Sequence, residues 1–292
     1  MPIVGFRCPD GIKVNGTDEH DFNFCINSCP KPCFPPILMR VIKDSLDKDE
    51  HKGDMISVTA LKGCFRQLWF ERKRDLFLNP AELWFAARGH IIHKILEVGI
   101  LGQPDKDRFL TETRFFLDDL NISGQLDLID KQDRILYDFK TIGDRGLNMI
   151  PRYGAKEDHI WQINCYRYLW KYGRAEGIEN NRFNIDKIKI IYITLMSALE
   201  TGSMFFNKTA RKKTEYLEIK DVPIFSDKKI KKYIDENLEL LRNILSEDKE
   251  PDFIPSEQDQ TWLCGTKYGG RGYCKATKLC SYWKELFPKG VV

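Results

Sequence analysis

The chain has 292 residues, 42% of them hydrophobic and 12% aromatic, enough to bury one large core or two modest ones and too apolar to stay disordered. Lys and Arg number 46 against 43 Asp and Glu, a formal charge of +3, so no overall basic field marks a nucleic-acid partner and any such surface must be local. No apolar run reaches the ~20 residues of a membrane span, and the opening Met-Pro-Ile-Val-Gly-Phe-Arg-Cys lacks a basic stretch followed by an apolar one, which leads to the expectation of a cytoplasmic protein with reduced thiols.

The first 54 residues read as a cysteine-rich head and linker. Cys25, Cys29 and Cys33 are separated by three residues each, and Cys8 lies sixteen residues upstream of Cys25; four thiolates so spaced suit a structural zinc ion, with His20 as an alternative ligand. Proline and glycine are frequent here, which argues against a self-supporting core and for a metal as the ordering element. The polar stretch 44–53 reads as a linker. A second group, Cys264, Cys274 and Cys280, is one thiolate short of the four that zinc or an iron-sulfur cluster takes. Cys64 and Cys165 are the candidates for the fourth, and spacing does not choose between them.

From Met55 a helix is expected after Ser57 or Thr59, carrying Leu61, Cys64, Phe65, Leu68 and Trp69, and a second from Asn79-Pro80 through Leu96. Segments 110–117, 122–130 and 134–142 alternate as strands. A helix over Glu157–Tyr172 ends at Gly173, strands follow at 187–196 and 215–219, and Ser226 caps a last long helix with Ile230, Ile234, Leu238, Leu241 and Leu245 on one face. This order predicts an α/β fold, a central mixed sheet flanked by helices over 55–249, with a cysteine-bearing tail over 250–292.

The strands 122–130 and 134–142 form a hairpin. With Gln132 and Asp133 as a two-residue loop, Leu128 pairs with Tyr137 and Asp127 falls opposite Asp138. Directly opposed carboxylates about 5 Å apart are destabilising, and their apolar neighbours make the charge costlier still. Lys140, two residues beyond Asp138 on the same face, neutralises part of it, and a divalent cation such as Mg²⁺ is suited to do the rest.

The ordered series Gly89-x3-His93, Gly124-x2-Asp127, Asp138-x-Lys140 and Gln162-x3-Tyr166 resembles the PD-(D/E)XK nuclease superfamily, specifically its RecB-like branch with the QxxxY motif. The resemblance implies a restriction-endonuclease-like core and Mg²⁺- or Mn²⁺-dependent hydrolysis of DNA phosphodiesters. It implies a metal held by His93, Asp127, Asp138 and the backbone carbonyl of Phe139, catalysis by Asp127, Asp138 and Lys140, and substrate positioning by Gln162 and Tyr166. Trp161 and Tyr168 are candidates for stacking on unpaired bases. Relatives akin to AddB and the CRISPR-associated exonucleases carry a [4Fe-4S] cluster held by one cysteine before the nuclease motifs and three after, which implies Cys64, Cys264, Cys274 and Cys280 as its ligands. The nine residues between Cys264 and Cys274 depart from the tighter spacing of many relatives and leave zinc open. The implied substrate is single-stranded or end-frayed DNA, in recombination, repair or CRISPR spacer processing alongside the proteins of those systems; the alternative is a non-cleaving DNA- or protein-binding module of the same fold.

Overall fold

The structure is a computed structural model that describes residues 3–9, 12–47, 55–175, 177–179, 182–194, 217–262, 264–266 and 274–288. In chain order the strands are β1 (Ile3–Arg7), β2 (Glu19–Asp21), β3 (Ile56–Ser57), β4 (Leu76–Leu78), β5 (Phe109–Leu117), β6 (Ile122–Asp130), β7 (Ile135–Ile142), β8 (Lys187–Thr194) and β9 (Leu217–Val222). The helices are α1 (Pro36–Asp47), α2 (Phe65–Lys73), α3 (Pro80–Leu101), α4 (Asp144–Tyr153), α5 (Glu157–Tyr172), α6 (Asp227–Ser246), α7 (Glu257–Trp262) and α8 (Ser281–Leu286). This is a mixed α/β fold whose central mixed sheet is flanked by helices, as expected. No helix among the described residues is long and apolar enough to cross a membrane.

The chain divides into two compact units. One comprises Met1–Gly53, Ala60–Ala87 and Asp235–Val292; the other comprises Asp54–Thr59 and Arg88–Ile234. In the first, β1 pairs antiparallel with β2 and parallel with β4. Phe6, Cys25, Ile26, Met39, Ile42, Leu78 and Leu83 form an apolar cluster there. The head supplies Phe6, Cys25, Ile26, Met39 and Ile42, and Leu78 and Leu83 from beyond it complete the cluster; residues 44–47, read as linker, continue α1. The reason is the spacing of Met39 and Ile42, both fully buried, which lie one helical turn apart and turn one face of α1 inward. Residues 48–53 of that linker lie outside the described residues.

In the second unit the sheet runs β3-β6-β7-β8-β9, with β5 on the other edge of β6. Every residue of β6 but Gln125 is buried, the signature of a strand covered on both faces. β5 lines all of β6, from Phe109 opposite Asp130 to Leu117 opposite Ile122. The second edge of β6 is shared. β3 pairs there with Ile122 and Ser123, and β7 with Leu128, Ile129 and Asp130. Between these pairings the stretch 124–127 has no ladder partner on that edge among the described strands.

The hairpin register matches the expected one over Leu128–Tyr137, Ile129–Leu136 and Asp130–Ile135. The connection is wider than expected, a turn over 131–134. Asp130 organises it by accepting the backbone N–H groups of Gln132 and Asp133, both at 3.0 Å, and Arg134 closes it at φ 54°.

Candidate active site

The opening in the edge of β6 is where the motif residues gather. Gly124 lies in it because a Cβ there would stand 2.8 Å from the Tyr166 ring and 3.3 Å from Val58. Only glycine admits both. Gly89 does the same for α3: a Cβ would come within 3.2 Å of Thr141 Oγ1 on β7, so helix and strand approach closely four residues before His93.

At the end of the opening, Asp127 turns its Oδ2 to accept the backbone N–H of Phe139 at 2.7 Å, a side-chain bond where the ladder leaves off. Its Oδ1 lies 3.5 Å from His93 Nδ1, and the same nitrogen lies 3.3 Å from Glu112 Oε1. His93, Glu112 and Asp127 bring one ligand atom each within 4.8 Å of one another, the one such group of His, Cys, Asp or Glu among the described residues. Glu112 was not anticipated from the sequence. The β5–β6 register, with Thr111 opposite Leu128 and Thr113 opposite Leu126, sets Glu112 across from Asp127, and the pairing arithmetic applied to Asp138 would have found it. Glu112 adopts φ 45° inside a strand; a non-glycine residue held there is strained, as residues at functional sites often are. Gln125, itself bonded to Arg114 at 2.8 Å, donates to its other carboxylate oxygen.

Electrostatics follow from this crowding. Burial, then the charge of Asp138, push the Asp127 pKa up, against Lys140, His93 and the Phe139 N–H. Burial works to lower the His93 pKa, but the hydrogen bond with Glu112 and the charges of Asp127 and Glu112 outweigh it and raise it. Glu112 is pushed up by burial and carried below its ordinary value by His93 and Gln125.

Asp138 stands outside the three-residue group. Its Oδ2 is 2.7 Å from Lys140 Nζ, and its buried Oδ1 has no hydrogen-bond partner among the described residues. Burial works to lower the Lys140 pKa, yet Asp138 and Asp127 hold it above the ordinary lysine value. Lys140 is therefore a firmly charged ammonium beside two acids. Gln162 Nε2 donates to Tyr166 Oη at 2.7 Å and to Thr59 Oγ1 at 3.2 Å, and Tyr166 lies within electrostatic reach of Lys140, Asp138 and Asp127. Trp161 and Tyr168 are both engaged by neighbouring aromatic rings. Trp161 stacks on Tyr233 with ring centroids 4.2 Å apart and meets Phe225 and Lys229, while Tyr168 is buried against Tyr172.

The nine cysteines are all free thiols, and all but Cys165 fall into two groups in the first unit. Burial, then the neighbouring thiols Cys29, Cys33 and Cys8, push Cys25 up to about 12. In the other group Cys64 stands at the N-terminal cap of α2 and Cys280 at that of α8. Burial raises Cys264 to about 12, with Cys64 and Cys280 adding to it, and Cys274 is raised by burial and by Cys64, Cys264 and Cys280. Cys165, in the second unit, is raised by burial alone. Within neither group do three sulfurs come within 4.8 Å of one another, wider than the roughly 3.8 Å implied by tetrahedral Zn–S bonds of about 2.3 Å.

Residues 49–281 match the sequence family described as the PD-(D/E)XK nuclease superfamily. The chain belongs to that superfamily. Among solved structures, the PD-(D/E)XK chain is similar to one titled "Crystal structure of SSO0001", at 18% identity over 84% of this chain and 96% of that one, with a TM-score of 0.48. A phage-related exonuclease from Haemophilus somnus 129PT is similar at 11% identity over 65% of this chain and 93% of that one, with a TM-score of 0.34. No curated protein matches the chain. PD-(D/E)XK nucleases use divalent metal ions, and this chain's residues fit one: a nitrogen and two carboxylates converge within 4.8 Å, and Asp138 keeps a buried oxygen without a hydrogen-bond partner among the described residues.

Proposed function

We propose that this PD-(D/E)XK protein is a Mg²⁺- or Mn²⁺-dependent deoxyribonuclease of the RecB-like branch, acting on single-stranded or end-frayed DNA. The observation that carries the reading is the convergence of Asp127, Glu112 and His93 beside the Asp138–Lys140 pair, 2.7 Å apart. So much buried acid around one lysine is stable only when further positive charge joins it. His93, Asp127 and Glu112 are the residues to hold the ion, with Asp138 and the carbonyl of Phe139 completing the donor set that the motif implies. The ion supplies charge neutralisation at phosphorus and a more acidic water.

The chain's own residues do the rest. Lys140, kept as an ammonium, donates to the attacking water or to a phosphate oxygen and steadies negative charge as the bond breaks. Gln162 and Tyr166, bonded to each other and anchored to Thr59, hold the strand or Lys140 in place. Recombination, repair or CRISPR spacer processing is the setting this chemistry suits, within a cytoplasmic protein. The same reading assigns a [4Fe-4S] cluster to Cys64, Cys264, Cys274 and Cys280. Zinc is assigned to Cys8, Cys25, Cys29 and Cys33, which must close around it, so that binding and local folding are coupled.

Labelled single-stranded, frayed and blunt duplex DNA, incubated with the purified protein and Mn²⁺, test the activity. Cleavage of the first two that disappears in Lys140→Ala is expected; DNA left intact by the wild-type protein overturns the reading. Anaerobic purification followed by absorption spectroscopy and metal analysis tests the cysteines, with about four iron and one zinc per chain as the expected outcome.

A further inference from the structure

Helix α5 turns His159, Gln162 and Tyr166 inward, and all three are buried. Gln162 and Tyr166 have a part in the reading above; His159 has none. Its Nδ1 lies 3.0 Å from the hydroxyl of Tyr192, a fully buried residue of β8 that stands beside Lys140 in the parallel β7–β8 register. The same hydroxyl accepts the backbone N–H of Lys156, the residue preceding α5, at 3.0 Å. Burial pushes the Tyr192 pKa up to about 12, so the phenol keeps its proton. The hydroxyl's remaining position meets His159 Nδ1, with the imidazole tautomer setting which of the two donates. The other ring nitrogen, Nε2, lies 3.6 Å from Asp158 Oδ2. One hydroxyl on the strand next to Lys140 thus grips the start of α5 at two points.

We infer that His159 and Tyr192 are positioning residues of the nuclease site, locking the first turn of α5 onto β8 so that Gln162 and Tyr166 stand correctly beside Lys140. The inference rests on the nuclease reading. A helix is stiff, with a rise of about 1.5 Å per residue, so a slip or rotation at His159 is carried to Gln162 and to Tyr166 within about 10 Å. There the tolerance is small. The Gln162–Tyr166 bond is 2.7 Å long, and the Tyr166 ring leaves no room for a methyl group on Gly124. Packing alone would be served by two apolar side chains; a buried phenol, imidazole and amide are costly unless every bond is made, and what they add is a single orientation.

Steady-state cleavage of labelled single-stranded DNA in Mn²⁺ by the full chain tests this. Tyr192→Phe and His159→Leu are expected to lower kcat about tenfold, the loss of roughly one hydrogen bond, with KM for DNA changed less than about twofold. His159→Asn, whose amide offers the hydroxyl both a donor and an acceptor, restores most of the rate, and the double variant His159→Leu/Tyr192→Phe is no slower than the worse single one. Exchange of the Lys156 amide accelerates in Tyr192→Phe while that of β6 does not. Full kcat in Tyr192→Phe, additive losses, or rates that simply follow Tm across the variants would overturn the positioning role alone. A wild-type protein that cuts nothing overturns the nuclease reading and this inference with it.

Discussion

Asp127 and Asp130 lie three residues apart on one strand and both are buried, yet their surroundings push them in opposite directions. Asp130 is fully served: Arg108 grips both its oxygens and two backbone N–H groups complete it, so its pKa falls, chiefly through the Arg108 hydrogen bond. Asp127 receives one backbone N–H and faces Glu112 across one ladder and Asp138 beyond the end of the other. The first arrangement is what a fold does with an acid it needs for shape. The second leaves an acid whose charge the folded chain disfavours, and such a group is retained where charge arrives from outside.

The largest expected effect comes from removing each charge in turn. Asp127→Asn keeps an acceptor for the Phe139 N–H while relieving the repulsion. An acid with a raised pKa in the folded state costs stability above its ordinary range near pH 4, so this variant should be more stable at pH 7 in EDTA, on the order of 1 kcal/mol, and should lose cleavage by roughly a thousandfold. Asp130→Asn should do the reverse, losing about 2 kcal/mol by breaking charge-assisted bonds and keeping most of the activity. Thermal melts paired with Mn²⁺-dependent cleavage read both. Shifts of the same sign for the two aspartates would erase the distinction.

Glu112 sharpens it. Glu112→Gln preserves shape and most hydrogen bonds but removes one of the three converging donors, so Mn²⁺ affinity measured by calorimetry should fall about 10- to 100-fold with Tm little changed. Unchanged affinity would move the ion away from β5. A smaller effect is expected at Gly124→Ala. The added methyl meets the Tyr166 ring at 2.8 Å, which should cost about 1–3 kcal/mol and lower kcat by displacing Tyr166; wild-type melting and rate together would mean the ring is not held there.

Periodicity made β8 and α6 legible, because each buries one continuous face. The Asp127, Asp138 and Lys140 neighbourhood followed from hairpin pairing alone. The same arithmetic on β5 and β6 reaches Glu112, but its left-handed φ of 45° breaks the alternation that identifies a strand residue's face, and nothing in local composition announces it. α1 was hidden by the prolines and charges that frame it, since Met39 and Ile42 find their apolar partners in Phe6, Leu78 and Leu83, far along the chain. The gap in the β6 edge was likewise invisible: it depends on β3 and β7 sharing one edge, a tertiary fact that no window of sequence contains.

A third acid tests the served kind on its own. Asp227 accepts Arg167 at 2.5 Å and Lys171 and Tyr172 at 2.7 Å each. Partial burial works to raise its pKa, but these bonds outweigh it and hold it at about 2, below the ordinary 3.8. A depressed carboxyl stabilises the fold fully above its unfolded pKa and loses that contribution as pH falls through the folded one. Asp227→Asn should therefore melt below the wild type at pH 6, and the gap should narrow from about pH 4 downward and close near pH 2. Asp127→Asn should show a gap of opposite sign that also closes with acid, because protonation of Asp127 makes the wild type resemble the variant. If the Asp227→Asn gap stayed constant from pH 6 to pH 3, its stabilisation would come from shape and not from charge, and partner count would lose its meaning as the feature separating a structural acid from a catalytic one.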